Sequence, residues 1–266
     1  SKVNIIQRNR LLVPDEDGEI AEKFTKIFSK KYNVLLEHQT IEISKKGKNI
    51  LLKVQRKDGK GPLKKIETEK LVIATGRIPN TDILDVKKTG VTFNEFGFIE
   101  VNDYLETNVD GIWALGDIIG KYMFKHSANL EAQYAVNNAF GKSKSKVDYK
   151  AMPHAVFSSP QVAGVGLTEE QLKEKNIQYK VGKYDYIDTG MGLALKDREG
   201  FAKILVHKNS GEILGCHIMG TDASTLIHEV IVAMKSGKGT IDNITKAVHV
   251  HPALSEVVQR AGLKVK

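Results

Sequence analysis

The sequence predicts a mixed fold, α/β over its first half and α+β over its second, on three observations. A short β-rich run is followed at once by an amphipathic helical pattern, over residues 3–31. Two apolar runs, at 71–76 and 110–117, each stop on small residues. Beyond a polar linker, Gly141 to Lys146, strand patterns come first and helical ones last. A chain of 266 residues suits about two domains at roughly 150 residues each. With 41% hydrophobic and 27% charged residues it has the composition of an ordinary globular protein, which excludes disordered, collagenous and disulfide-scaffold classes. Its one cysteine, Cys216, leaves no dithiol pair within the chain and reads as an inert buried thiol in an apolar run. No apolar run approaches the roughly 18 to 20 residues needed to span a bilayer, and the start shows no signal-peptide pattern, so a cytoplasmic protein away from membranes is expected.

In order along the chain, Val3 to Gln7 alternates as a strand, and Pro14-Asp15-Glu16-Asp17 then places acids at the positive end of a helix. Ile20, Phe24, Ile27 and Phe28 form its buried stripe. Val34 to Ile43 and Asn49 to Gln55 are predicted strands, and Asp58-Gly59 turns into a further strand that ends at Glu69 to Ile73. A strand and helix that open the chain this way read as the second strand of a dinucleotide-binding unit whose first strand and Gly-rich turn lie upstream. Leu71 to Gly76 is predicted as a buried strand, Arg77 to Asn80 as a turn, and Asp110 to Asp117 as a second apolar strand stopping at a glycine and a carboxylate. Residues 126–140 form a predicted helix, with Ala128, Ala132, Ala135, Val136 and Ala139 available for packing. Strands are then predicted at 155–157, 163–167, 179–187, 202–206 and 213–219, and helices at about 222–236, 240–247 and 253–263. The helix holding Leu226, Ile227, Val230, Ile231, Ala233 and Met234 is apolar around more than half its girth, more than one sheet face needs, and a subunit interface could bury the remainder.

The net charge of +8 is local: residues 1–70 hold 17 Lys+Arg against 10 Asp+Glu, and the rest of the chain 23 against 22. The basic residues cluster at turns, around Lys45 to Lys48 and Arg56 to Lys60, without interleaved aromatics. A solvated hairpin rim explains them better than nucleic-acid binding does.

Four patterns stand in one order. They are Ala74-Thr75-Gly76-Arg77-x-Pro79-Asn80; Thr107 with Gly111-Ile112-Trp113-Ala114-Leu115-Gly116-Asp117; Phe157-Ser158-x-Pro160 leading to Val165-Gly166-Leu167-Thr168-Glu169; and His249-Val250-His251-Pro252-Ala253-Leu254-Ser255-Glu256. Together they resemble the C-terminal portion of the class I pyridine nucleotide-disulfide oxidoreductases, the group of dihydrolipoamide dehydrogenase, glutathione reductase, mycothione reductase and mercuric reductase. The resemblance covers nearly all of the chain. It implies a partial NAD(P)-binding domain over 1–73, the C-terminal part of an FAD-binding domain over 74–147, and an α+β dimerisation domain over 148–266 of a homodimer.

By that resemblance His251 is the acid-base that moves a proton to and from the substrate thiol of the partner's site, held by Glu256. An imidazole suits the task because its ordinary pKa lies near working pH and a carboxylate partner fixes its tautomer. His249-x-His251 could also be read as a metal pair, but no further ligands lie nearby; His249 is taken as structural. The resemblance further implies that Asp117 accepts from the ribityl chain of FAD, that Gly116 lets the backbone approach it, and that Thr75, Gly76 and Arg77 line the crossing between the nucleotide domains. Gly-Asp alone could equally be a turn. Met123-Phe124-Lys125-His126 would begin a helix whose N–H groups face the flavin. Gly190-Met191-Gly192 lacks a third glycine and a helix start and is not a phosphate loop.

Where relatives that use NAD place an acid at the end of the first strand, this chain has Gln7-Arg8-Asn9-Arg10, which leans towards NADPH over NADH. The chain ends without paired cysteines, which counts against mercury as substrate. The stretch from His251 to Val258 is similar to both dihydrolipoamide dehydrogenase and mycothione reductase. A FAD- and NAD(P)-dependent dithiol/disulfide oxidoreductase of the dihydrolipoamide dehydrogenase kind is therefore expected, with an NADPH-dependent low-molecular-weight disulfide reductase as the alternative. No Gly-x-Gly-x-x-Gly and no Cys-x4-Cys pair occur. These residues are accordingly expected to be the rear part of a longer enzyme, inactive alone and at most a dimerisation module.

Overall fold

The computed structural model describes residues 1–266. The chain divides into two compact units, one made of Ser1–Val72 with Pro153–Lys266 and the other of Ile73–Met152. Residues 1–72 and 153–266, assigned to separate domains in the sequence reading, share one body, because the first helix supplies one cover of the later sheet, while residues 73 and 148–152 belong to the other unit.

In the first unit, strand β1 (Asn4–Ile6) pairs in parallel with β2 (Asn33–Leu35) across helix α1 (Gly18–Lys31). Asp17 caps α1, its carboxylate accepting from the Glu19 amide. An antiparallel meander follows: β3 (His38–Lys46), β4 (Asn49–Arg56) and β5 (Lys64–Thr68). The single strand predicted over 34–43 is broken, since Glu37 adopts φ +56° and turns the chain between β2 and β3.

The second unit holds one regular helix, α2 (Lys125–Phe140), and a core of Val86, Val91, Ile99, Leu105, Ala114, Ile119 and Ala135. Neither predicted strand forms there. Residues 71–76 pair with no strand of this chain, and Val72 and Ile73 are 86% and 70% exposed. A buried parallel strand exists only between hydrogen-bonded neighbours. The 110–117 run makes a single bridge, Trp113 to Glu106, before Gly116 at φ +77° turns it into a 3-10 turn, Gly116–Ile119. The buried face of α2 is also not the alanine stripe: it is Ser127, Glu131, Ala135 and Asn138, while Val136 is exposed. This polar stripe is satisfied; Asn138, for example, bonds the carbonyls of Tyr104 and Ser145 and the Ser145 amide.

The rest of the first unit is a five-stranded antiparallel sheet, β6 (Pro153–Val156), β7 (Gln161–Gly166), β8 (Tyr179–Asp185), β9 (Phe201–His207) and β10 (Ile213–Gly220), in spatial order β6-β7-β10-β9-β8. Strands β9 and β10 are buried nearly throughout because both faces are covered. Leu12, Ile20 and Phe24 meet Val162, Phe201 and Met219 on one face. On the other, α5 (Ala223–Lys235) packs against β7 and β10, and α7 (Glu256–Leu263) against β8 and β9. Three short helices complete the unit: α3 (Glu169–Glu174), α4 (Gly190–Ala194) and α6 (Asp242–Thr245). The capping box Thr168-x-x-Gln171 opens α3, and Thr189 caps α4, so Gly190 does begin a helical turn, contrary to the sequence reading. At the edge of the α1 face the ammonium of Lys203 lies 2.9 Å from Asp17 and 2.6 Å from Glu169, with Lys203 and Asp17 both buried. No helix is long and apolar enough to cross a membrane.

Candidate active-site elements

His251 stands just before α7. Its imidazole Nδ1 lies 3.0 Å from each Glu256 carboxylate oxygen. A carboxylate only accepts, so Nδ1 carries the hydrogen and the Nε2 lone pair is left for another partner. The His251 side chain is 71% exposed while that of Glu256 is buried, so the imidazole stands outward on a fixed carboxylate base. The Ala253 amide donates to the same carboxylate at 3.1 Å. The His251 hydrogen bond, followed by that amide, holds the Glu256 carboxyl below its ordinary value and keeps it ionised. An exposed imidazole nitrogen with an anchored tautomer can take or give a proton at a thiol.

Gly190 closes the other side of this imidazole. A Cβ there would lie 3.3 Å from His251 Cε1 and 3.4 Å from Pro252 Cβ. The glycine dismissed as a phosphate loop is therefore a wall of the histidine site. His249 turns inward, its Nε2 on Glu229 of α5 and its Nδ1 3.1 Å from the Ala247 carbonyl. No group of three or more His, Cys, Asp or Glu side chains is placed to hold a metal ion.

At the end of β1, Gln7 turns the chain by accepting from the Asn9 amide at 3.2 Å. Arg8, Asn9 and Arg10 then line a cleft of about 370 Å³ together with Glu37, Arg56, Lys57 and Asp58. Arg56 and Lys57 come from the end of β4 and were not legible as part of this site. Arg56 is held by Asp58 at 3.2 Å, whereas Lys57 has no such acidic partner. Four cations against the two carboxylates Glu37 and Asp58 leave the cleft net positive, which suits a phosphate-bearing ligand.

In the second unit Arg77 donates to Asp117 at 2.6 Å, both side chains half exposed. Thr75, Gly76 and Arg77 are exposed, and Gly76 has φ +117°. The turn beneath Asp117 is held by a residue that no motif announced: buried Glu131 accepts from the Gly116 amide at 2.6 Å and from the Tyr149 hydroxyl at 2.9 Å. Burial, then Glu131, raises the Tyr149 phenol well above its ordinary value, so it stays a donor. A Cβ at Gly116 would press on Ala128 Cβ at 3.4 Å in a left-handed conformation. A half-exposed carboxylate beside a positive-φ glycine suits a hydroxyl donor. Met123 and Phe124 lead into α2, with Lys125 and His126 in its first turn, where the helix presents its positive end. The His126 ring stacks on Phe124.

Residues 1–132 match the pyridine nucleotide-disulphide oxidoreductase family, and residues 152–262 match the dimerisation domain of the same family. A mitochondrial dihydrolipoyl dehydrogenase of Arabidopsis thaliana is 35% identical over 264 residues, which is 99% of this chain and 52% of its own length. The mycothione reductase of Mycobacterium tuberculosis is 35% identical over 270 residues, covering this whole chain and 57% of its own length. Among solved structures, an HOCl-induced flavoprotein disulfide reductase of Escherichia coli superposes with a TM-score of 0.88 at 26% identity, over 99% of this chain and 59% of that one. The chain spans about half the length of the curated relatives it matches.

Proposed function

The chain belongs to the pyridine nucleotide-disulphide oxidoreductases, enzymes that use FAD and NAD(P)H, and from that premise we propose that it serves a dithiol–disulfide exchange of the dihydrolipoamide dehydrogenase kind. The observation that carries the reading is the His251–Glu256 couple, with its anchored Nδ1–H and open Nε2. In this reading Nε2 takes the proton of an attacking thiol and returns it to the departing one, while the Glu256 carboxylate supports the imidazolium. Residues 1–73, 74–147 and 148–266 are then the pyridine nucleotide, flavin and interface parts, and a homodimer brings each His251 to its partner's site. When bound, FAD would supply the electron transfer between the pyridine nucleotide and a disulfide. Asp117, Gly116, Thr75, Gly76 and Arg77 would hold it, with the first turn of α2, from Met123 to His126, supplying backbone donors. Gln7 and Arg8 would meet the pyridine nucleotide.

Replacing His251 by Gln in the complete enzyme bearing these residues is expected to lower turnover by about 100-fold or more. An unchanged rate would remove His251 as the base. A second reading, an NADPH-dependent reductase of a low-molecular-weight disulfide, is favoured by the basic cleft around Arg8, Arg10, Arg56 and Lys57. Steady-state assays with lipoamide, glutathione disulfide and mycothione, each with NADH and NADPH, separate the two.

A further inference from the structure

Between α6 and α7 the chain runs with little support of its own. Val248 is fully exposed, Val250 is 75% exposed, and the His251 side chain is 71% exposed. Residues 248–252 make no hydrogen bond to other backbone. One side chain in the stretch points inward: His249, 7% exposed, against Glu229 of α5. The carbonyl of Ala247, next to it, accepts from His249 Nδ1 and from Gln259 Nε2 of α7.

This geometry fixes a proton. A carbonyl oxygen can only accept, so Nδ1 of His249 must donate to Ala247. Nε2 then faces a carboxyl oxygen of Glu229, and two lone pairs cannot bond without a hydrogen between them. Either His249 is an imidazolium beside a carboxylate, or a neutral His249 accepts from a protonated Glu229; in both cases the pair holds one shared proton and no net charge. Burial raises the Glu229 carboxyl above its ordinary value, with His249 pulling the other way, which favours retention of that proton. The remaining titratable neighbour of Glu229 is the thiol of Cys216 on β10, which burial keeps protonated.

We propose that Glu229 and His249 are positioning residues: their shared proton pins the 247–252 segment to α5 and so keeps His251 Nδ1 on Glu256. Only Val250 separates the buried imidazole from the exposed one, so a slip of the first moves the second. The consequence for proton transfer rests on the reading of His251 as the acid-base group; the pair itself is read without turnover.

The test uses this chain with nitrogen-15-labelled histidine. NMR of the unaltered protein at neutral pH is expected to show His251 in the Nδ1–H tautomer, the less common form of a free imidazole. Glu229→Ala is expected to turn His251 over to mainly Nε2–H. Glu229→Gln, whose amide can donate to Nε2 of a neutral His249, restores the Nδ1–H form. Should the alanine variant not fold, Glu229→Leu fills the same space without an acceptor and gives the same readout. A contact that merely stabilises would lower the melting temperature and leave the tautomer alone. Retention of Nδ1–H in folded Glu229→Ala or Glu229→Leu, or equal damage from Glu229→Gln, overturns the proposal. Full turnover of a His251→Gln enzyme with this tautomer response intact would instead remove only the functional reading.

Discussion

The strands of residues 153–220 and the run Leu71 to Gly76 are equally strand-like as sequence, yet only the former become strands. Each of β6 to β10 finds a hydrogen-bonded neighbour within the chain, and helices cover both faces of β9 and β10. Residues 71–76 find none, and the side chains from Val72 to Thr75 face solvent. Apolar patterning specifies a surface to be buried, and the partner's backbone decides whether a sheet results. The same contrast governs charge. Lys203 and Asp17 are paired at 3% and 0% exposure, whereas Arg77 and Asp117 are paired with both side chains about half exposed.

The largest effect is expected at the buried pair. Lys203→Met keeps the length of the side chain but strands Asp17, which also caps α1 and accepts from the Glu169 amide at the start of α3. Removing one partner of a buried ion pair typically costs about 3–5 kcal/mol. Burial alone would raise Glu169, but its bonds to Lys203, Lys173 and Tyr179 bring it down to about 2, so this carboxylate stays ionised beside the buried lysine. Denaturant unfolding of the variant should lose a large share of the total stability. A loss under about 1 kcal/mol would mean water reaches the site and would erase the contrast with Arg77.

How far the sequence foretold this follows from sequence distance. His251 and Glu256 are five residues apart and joined by a proline turn into a helix, so the spacing permits the pairing that the family resemblance implied. Strands β6 to β10 were legible because their short apolar runs meet hydrogen-bonded neighbours in the same segment. Lys203 and Asp17 are 186 positions apart and carry no motif. Glu131 was hidden inside an alanine-rich helix whose buried face proved polar. The capping box at Thr168 and Gln171 was a local signal that could have revealed α3.

Two intermediate effects sharpen the comparison, one in each unit. Glu131→Ala leaves the Gly116 amide and the Tyr149 hydroxyl without their acceptor, at a cost of about 1–3 kcal/mol. Hydrogen exchange at the Gly116 amide should accelerate, and an unchanged rate would show that Glu131 does not hold the turn. In the other unit His217 is wholly buried, donates from Nε2 to the Leu167 carbonyl, and has no partner at Nδ1. Burial lowers its pKa below the ordinary 6.5. Its contribution is complete above the unfolded value and is lost as pH falls from there to the folded one, with a slope of at most about 1.4 kcal/mol per pH unit. Unfolding midpoints taken between pH 7 and 5 should decline in the unaltered chain and less so in His217→Gln; parallel declines would assign the acid sensitivity elsewhere.

The smallest effect is expected at Arg77. Its guanidinium reaches Asp117 at 2.6 Å, but with both groups half in water the Coulomb gain is screened and offset by the ordering of two mobile side chains. Arg77→Ala should change unfolding free energy by less than about 1 kcal/mol, and less still at high salt. Its value as a probe lies in that smallness: Asp117 is left as a free acceptor on a turn still fastened by Glu131 and Gly116. If Asp117 serves a polyol hydroxyl, the variant should keep flavin affinity within a few-fold in the complete enzyme while Asp117→Ala weakens it severely. Equal losses would mean that the arginine, and not the carboxylate, makes the contact that matters.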